Sequence, residues 1–205
     1  MLKQLFLQIC IVLLAANNAT AQCPPDFKCP REGRKRDCSP ITSIKDRNLN
    51  IAKNKSSAIP DRWADYWAID ELIDLPDEED KDLYNSGDFM YTEGYIISFI
   101  EEGPESCNCY QASKAKKTGD VHIYIGLRPD APKSECVIVE ITPEYKLLNP
   151  DYEDQLVKNA RVRVFGYLLY DHQHRANATM TCSSCTQIWR KTNWELHPIV
   201  YMEKI

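Results

Sequence analysis

The stretch DVHIYIGLRPDAPKSECVIVEIT, residues 120–142, decides how this chain folds. Val121, Ile123, Ile125 and Leu127 alternate with Asp120, His122 and Tyr124, the period-two signature of a strand with one buried face. Cys136 to Thr142 repeats the pattern, with Val137, Val139 and Ile141 opposite Glu140. Working outward, Phe89 to Ile100 is a long β-prone run containing Gly94, and Arg161 to Tyr170 and Trp194 to Met202 supply two more strands. Pro143 to Lys158 has helical stretches broken by Pro150. Three strands, a helical connection and two further strands is the order of a five-stranded Greek-key OB barrel. Gly94 and Gly166 stand where the first and fourth strands must coil. The expected fold is therefore mainly β, an OB-like barrel over residues 84–205.

The upstream segments differ in composition. Residues 1–21 combine Lys3, an apolar run from Leu5 to Ala16 and a small-residue site at Ala19–Ala21, which reads as a signal peptide cleaved near Ala21. The run is too short to span a bilayer comfortably, so a soluble secreted or periplasmic product is expected. Lipidation at Cys23 is the weaker alternative, because Thr20 and Gln22 spoil the required box. Residues 22–60 are Cys/Pro-rich and basic with poor periodicity, which predicts a loop-rich arm. Residues 61–83 read as a short helix over 61–75, capped by Asp61 and stopped by Pro76, followed by an acidic linker. Trp63 and Trp67 lie four apart on that helix, a spacing that suits packing onto the domain better than a ligand platform.

Charge and cysteines narrow the classes further. The chain carries a net charge of −5. Residues 22–60 hold nine Lys/Arg against four Asp/Glu, whereas residues 61–106 hold two against fifteen. A protein built to grip a phosphate backbone shows a clear basic excess, so nucleic acid is a possible partner that the charge does not support. Beyond the leader eight cysteines remain: Cys23, Cys29, Cys38, Cys107, Cys109, Cys136, Cys182 and Cys185. An even count in an exported chain favours disulfides throughout, with connectivity open. Cys107-x-Cys109 with Cys182-x-x-Cys185 as a four-thiolate zinc site, or Cys182–Cys185 as a redox pair, are the weaker readings.

Spaced motifs in the second half are more specific. They are Gly94-Tyr95, Cys107-Asn108-Cys109, Asp120-Val121-His122-Ile123 and Val139-Glu140-Ile141-Thr142-Pro143. Two more follow: Gly166 through Asp171-His172-Gln173-His174, and Arg190 through Trp194-Glu195-Leu196-His197-Pro198. Over residues 84–205 this pattern resembles a family of exported bacterial proteins, common in Bacteroidota, to which no activity is assigned. The chain departs from it at Tyr167, where tryptophan is expected, and at the Cys182–Cys185 insertion. The resemblance implies an OB-like fold and no particular chemistry.

The polar motif residues define the candidate site. His122, Glu140, His174 and His197 offer the donor types of a divalent ion such as zinc. Glu195 or Asp171 could then act as general base, with Arg190 stabilising an anion. The same residues could instead form a hydrogen-bonded network closing the barrel, because buried Glu and His must be paired. As a binding module, the barrel would use His122, Tyr124, Glu140, Arg190 and Trp194, on the surface where OB folds take oligonucleotides or oligosaccharides. The leading expectation is a secreted, disulfide-stabilised OB-fold binding module. A secreted metal-dependent hydrolase of the phosphodiesterase or nuclease type, using the His/Glu cluster, comes second. The sequence names no single ligand and no oligomeric state.

Overall fold

The computed structural model describes residues 23–24, 27–77, 87–111 and 119–205. The expected leader and nearly all of the acidic linker lie outside these described residues. In chain order the elements are α1 (Ile44–Lys53), β1 (Asp65–Tyr66), α2 (Ile69–Ile73), β2 (Phe89–Glu101) and β3 (Val121–Gly126). They continue as β4 (Val137–Ile141), α3 (Pro143–Leu148), β5 (Arg161–Tyr170) and β6 (Trp194–Lys204). Hydrogen-bonded neighbours run β1-β2-β3-β4-β6-β5, and β5 pairs back onto β2 to close a five-stranded barrel. The β4–β6 pair is parallel and the other barrel pairs are antiparallel. This is the OB-like architecture expected from the strand order.

Alternation builds the core as the sequence requires. Val121, Ile123, Ile125, Val137, Val139, Ile141, Val162 and Val164 pack inside with Trp194, Leu196, Ile199 and Met202. Thr142 caps α3 by accepting from the Tyr145 backbone N–H, and Tyr145 joins the same core. Gly94 is a true close-approach site. A Cβ there would sit 2.3 Å from Ile69 Cδ1 and 2.8 Å from the Gly126 carbonyl oxygen. At Gly166 the register with β6 shifts, and a Cβ would meet the Pro198 carbonyl at 3.0 Å.

Three expectations are corrected. The helix over 61–75 is split: Asp65–Tyr66 is extended and pairs in parallel with Met90–Tyr91, and α2 begins only at Ile69. The β2 backbone supplies hydrogen-bond partners there, Trp67 N–H donating to the Tyr91 carbonyl, so an extended path replaces the first helical turns. Trp67 packs against the core, whereas Trp63 is 96% exposed. The arm is not all loop, because Ser43 caps the ten-residue α1. That helix buries Leu49, Asn50 and Lys53, a face too polar to register as hydrophobic periodicity. The cysteines are not all paired. Cys23–Cys38, Cys29–Cys109 and Cys182–Cys185 are disulfides, while Cys107 and Cys136 are buried thiols. No helix among the described residues is long and apolar enough to cross a membrane.

Candidate functional site

The barrel has two outer flanks of opposite character. On β3, β4 and the start of β6, the outward positions are His122, Tyr124, Glu140, Glu195 and His197. In an uncovered OB barrel that flank would face water. Here it is covered. Lys53 comes from α1, Glu105 and Cys107 from the β2–β3 connection, and Asp171, His174, Trp189 and Arg190 from the β5–β6 connection. His122, Glu140, Asp171, Arg190, Glu195 and His197 are each no more than 1% exposed.

Cross-strand register places His122 opposite Glu140, with Glu195 beside Ile138 on the parallel neighbour. His122 Nε2 lies 2.7 Å from Glu140 Oε1, and its Nδ1 lies 3.1 Å from Glu102 Oε1. His197 Nδ1 lies 2.7 Å from Glu140 Oε2 and 3.5 Å from Glu195 Oε1. Arg190 Nη2 closes the row at 2.6 Å from Glu195 Oε2, and its Nε donates to the Thr192 carbonyl. A second branch runs from Glu105 through Lys53 to Asp171, at 3.4 and 3.0 Å. Asp171 Oδ2 also lies 2.8 Å from His174 Nδ1, and its other oxygen accepts from the Gln173 backbone N–H. Trp189 roofs the cluster, its ring stacked on His122 and edge-on to His174.

The distances and the angles tell different stories. Both nitrogens of His122, both oxygens of Glu140, Glu195 Oε1 and His197 Nδ1 sit at ion-pair distance without hydrogen-bond alignment, and all are buried. These pairs are close ion-pair contacts whose angles fall short of well-aligned hydrogen bonds. Such atoms in a native interior call for an explanation, such as an ion or a water.

Electrostatics follow from the packing. Burial opposes charge on His122, but Glu140 and Glu102 outweigh it and hold its pKa well above the ordinary value. Burial likewise opposes His197, yet Glu140 and Glu195 push it up to about 10. Glu140 is held well below the carboxylate range, because the two imidazoles overcome its burial. Asp120 goes the other way: burial, reinforced by Glu140 and Glu105 and only partly offset by His197, pushes it up to about 7. Asp171 is kept well below its ordinary value by Lys53, His174 and Arg190 against the effect of burial. The Cys107 thiol is driven well upward by burial, Asp120 and Glu105.

The residues singled out from sequence therefore meet in part. His122, Glu140, Glu195, His197 and Arg190 converge, whereas His174 turns to Asp171 and away from Glu140. Donor atoms of Asp120, Glu140 and His197 lie within 4.8 Å of one another, and those of Glu105, Cys107 and Asp120 form an adjoining group. Either group could hold a metal ion; four donors from His122, Glu140, His174 and His197 do not assemble. Trp194 is in the barrel core with Nε1 donating to the Pro76 carbonyl, and Tyr124 is 5% exposed. Neither surface is open to a ligand. Lys53, Glu102 and Glu105 were missing from the expected site. A lysine four residues beyond Leu49 on one helical face is the only local sign of Lys53.

The opposite flank is aromatic. Tyr66, Tyr91, Phe165 and Tyr201 form a row across β1, β2, β5 and β6, with successive ring centroids 5.1, 4.9 and 5.8 Å apart. Phe89 and Tyr167 lie beside it at 5.4 Å, with Arg62 over both rings and Lys55 over Tyr167. A groove of about 280 Å³ bounded by Ile59, Trp63, Phe89, Phe165 and Tyr201 opens along this row. Arg161 and Arg163 pair with Glu93, and Arg163 also with Glu203, so the charge of these two arginines is balanced.

Comparison with known sequences finds no matching family model and no matching curated protein. Among solved structures, the chain is similar to asparaginyl-tRNA synthetase from Pyrococcus horikoshii complexed with asparaginyl-adenylate, at 13% identity and a TM-score of 0.33. That alignment covers 58% of this chain and 19% of the synthetase. A second structure of the same enzyme aligns at 12% identity and a TM-score of 0.36, over 68% of this chain and 22% of that one. The chain thus matches only about a fifth of each synthetase chain.

Proposed function

We propose that this is an exported, disulfide-braced OB-barrel binding module that takes an oligosaccharide on the aromatic flank of β2, β5 and β6. The observation that carries the reading is the aromatic row together with Trp63, 96% exposed on the lining of the groove beside it. An indole left in water beside other rings offers the flat apolar face on which a sugar ring stacks, and the Glu93–Arg161–Arg163 rim offers hydroxyl partners. Single-stranded nucleic acid needs similar rings plus an extended basic track; here Arg161 and Arg163 are matched by Glu93 and Glu203, leaving only Arg62 and Lys55 beside the rings among the described residues. Export is supported by the apolar leader together with three disulfides. The resemblance of the motifs to a family of exported bacterial proteins agrees with that reading.

The test is titration calorimetry of the oxidised protein against neutral and acidic oligosaccharides, at two salt concentrations, for wild type, Trp63→Ala and Tyr201→Ala. Salt-insensitive binding weakened about tenfold in Trp63→Ala is expected, the scale of one lost stacking contact. Binding of single-stranded DNA with a steep salt slope would move the ligand to nucleic acid. Unchanged affinity in both variants would remove the aromatic flank from consideration.

The second reading, a metal-dependent hydrolase with zinc in the His/Glu cluster, is favoured by the convergence of Asp120, Glu140 and His197. Its candidate bases are less suited to the task. Glu195 and Asp171 are fully buried and already neutralised by Arg190 and Lys53. A hydrolytic zinc also needs an open coordination position facing substrate.

A further inference from the structure

Each cationic side chain in the buried cluster faces a carboxylate, but His122 and His197 share one, Glu140. Lys53 sits on Asp171 and Arg190 on Glu195. His122 bridges Glu102 and the first oxygen of Glu140. Glu140 Oε2 and His197 Nδ1, 2.7 Å apart, meet the Asp120 carboxylate at a point where β4, β6 and the loop entering β3 come together. These donors converge within 4.8 Å and are at least 97% buried. The second observation is independent of that convergence. Both Glu140 oxygens and His197 Nδ1 are buried and lack a well-aligned hydrogen bond although the nearest partner is 2.7 Å away. A metal ion entering here would displace the His197 proton and accept lone pairs from the imidazole and both carboxylates, which need move apart only slightly to admit it.

We propose that Asp120, Glu140 and His197 hold a divalent transition-metal ion of the zinc type in a structural role. One imidazole nitrogen and two carboxylate oxygens form a borderline donor set, suited to zinc. Calcium and magnesium prefer six or more oxygens, which this interior does not supply. The adjoining Glu105 and Cys107 place a further donor next to Asp120, with Cys107 Sγ 4.0 Å from Asp120 Oδ2. An ion here fastens the β2–β3 connection to β4 and β6. Because the arm is joined to that connection by Cys29–Cys109, the ion also holds the cover of this flank in place. The site is separate from the aromatic flank, so its failure would leave the oligosaccharide reading untouched.

The test uses tag-free, oxidised full-length protein stripped with chelator, desalted and reloaded with zinc chloride. Elemental mass spectrometry should then find one zinc per chain. Thermal melts should rise by about 8–16 °C at a thousandfold excess over Kd. Asp120→Asn and His197→Gln should each lose the zinc, while His174→Ala, whose ring lies on Asp171, should keep it. Asp120→Asn preserves shape and is the variant expected to fold. Circular dichroism of each variant separates lost metal from lost structure, and the wild-type zinc count does not depend on any variant. Less than a tenth of an equivalent in reloaded wild type with no change in melting would overturn the proposal. So would zinc retained at full stoichiometry in folded Asp120→Asn and His197→Gln, or an equal stabilisation by calcium.

Discussion

Replacing Lys53 by methionine removes a buried ammonium while nearly preserving side-chain length, and leaves the Asp171 carboxylate at 0% exposure. Asp171 would retain the Gln173 N–H and His174, but lose its only aliphatic cation at 3.0 Å; Glu105 would lose its contact at 3.4 Å. Breaking a buried pair from one side costs about 3–5 kcal/mol, since the surviving charge stays desolvated. For a chain of this length that corresponds to a melting temperature lower by roughly 6–20 °C. Asp171 is an acid held below its ordinary pKa of 3.8 in the fold, so its contribution is present above that value and lost as pH falls through the folded-state pKa. Without Lys53 that carboxyl rises, and the gap between variant and wild type should narrow as the solution is acidified. Urea denaturation of oxidised protein at pH 7 and pH 4.5 measures both effects. The double variant Lys53→Met/Asp171→Asn should recover more than half of the loss, because neither charge is then stranded. A single variant within about 1 kcal/mol of wild type would refute this account of the arm, as would a double variant no more stable than the single.

Three further outcomes follow from the cysteines and from His197. Among the cysteines from Cys23 onward, alkylation of native oxidised protein should label none, and alkylation after unfolding without reductant should label two, Cys107 and Cys136; a label on any of the other six contradicts the pairing. Replacing Cys29 and Cys109 by serine opens a link spanning 80 residues and should cost about 4–5 kcal/mol, against less than about 2 for Cys182–Cys185 with its separation of 3. In chelator-stripped protein, His197 is a base with its pKa raised from 6.5 to about 10, because Glu140 and Glu195 outweigh burial. Its contribution is therefore full below pH 6.5 and disappears as pH rises through 10. The urea midpoint should fall between pH 7 and pH 10 and flatten in His197→Gln; a midpoint constant over that range would remove the charged-imidazole account.

The barrel was legible because its information is local. Alternation from Val121 to Ile125 and from Val137 to Ile141 names the inward face, and Gly94 and Gly166 mark where backbones approach too closely for a Cβ. The early segments were less legible for the opposite reason. Asp65–Tyr66 becomes a strand only because Met90–Tyr91 lies beside it, a partner about 25 residues away that a helical reading of Trp63 and Trp67 never consults. The buried face of α1 carries Asn50 and Lys53, whose burial depends on Ser106, Glu105 and Asp171 far along the chain.

The site shows the same division more sharply. Alternation puts His122 and Glu140 opposite the apolar positions of their strands, and the structure adds Glu195 and His197 to the same outer face. In most antiparallel sheets an outward His or Glu faces water, which made this flank the natural place for a ligand. The structure lays α1, Trp189 and the β5–β6 connection over it, and outward becomes interior. The mutual needs of the charges explain why the cover stays. Lys53 and Arg190 arrive with it, and without them Asp171 and Glu195 would be bare carboxylates on the barrel wall. Alternation therefore reports which side of a strand a residue occupies, while the chemistry of that side depends on what lies across it. That is why the open aromatic flank, whose tyrosines and phenylalanines look like ordinary strand formers, is the better candidate for a ligand than the flank rich in histidine.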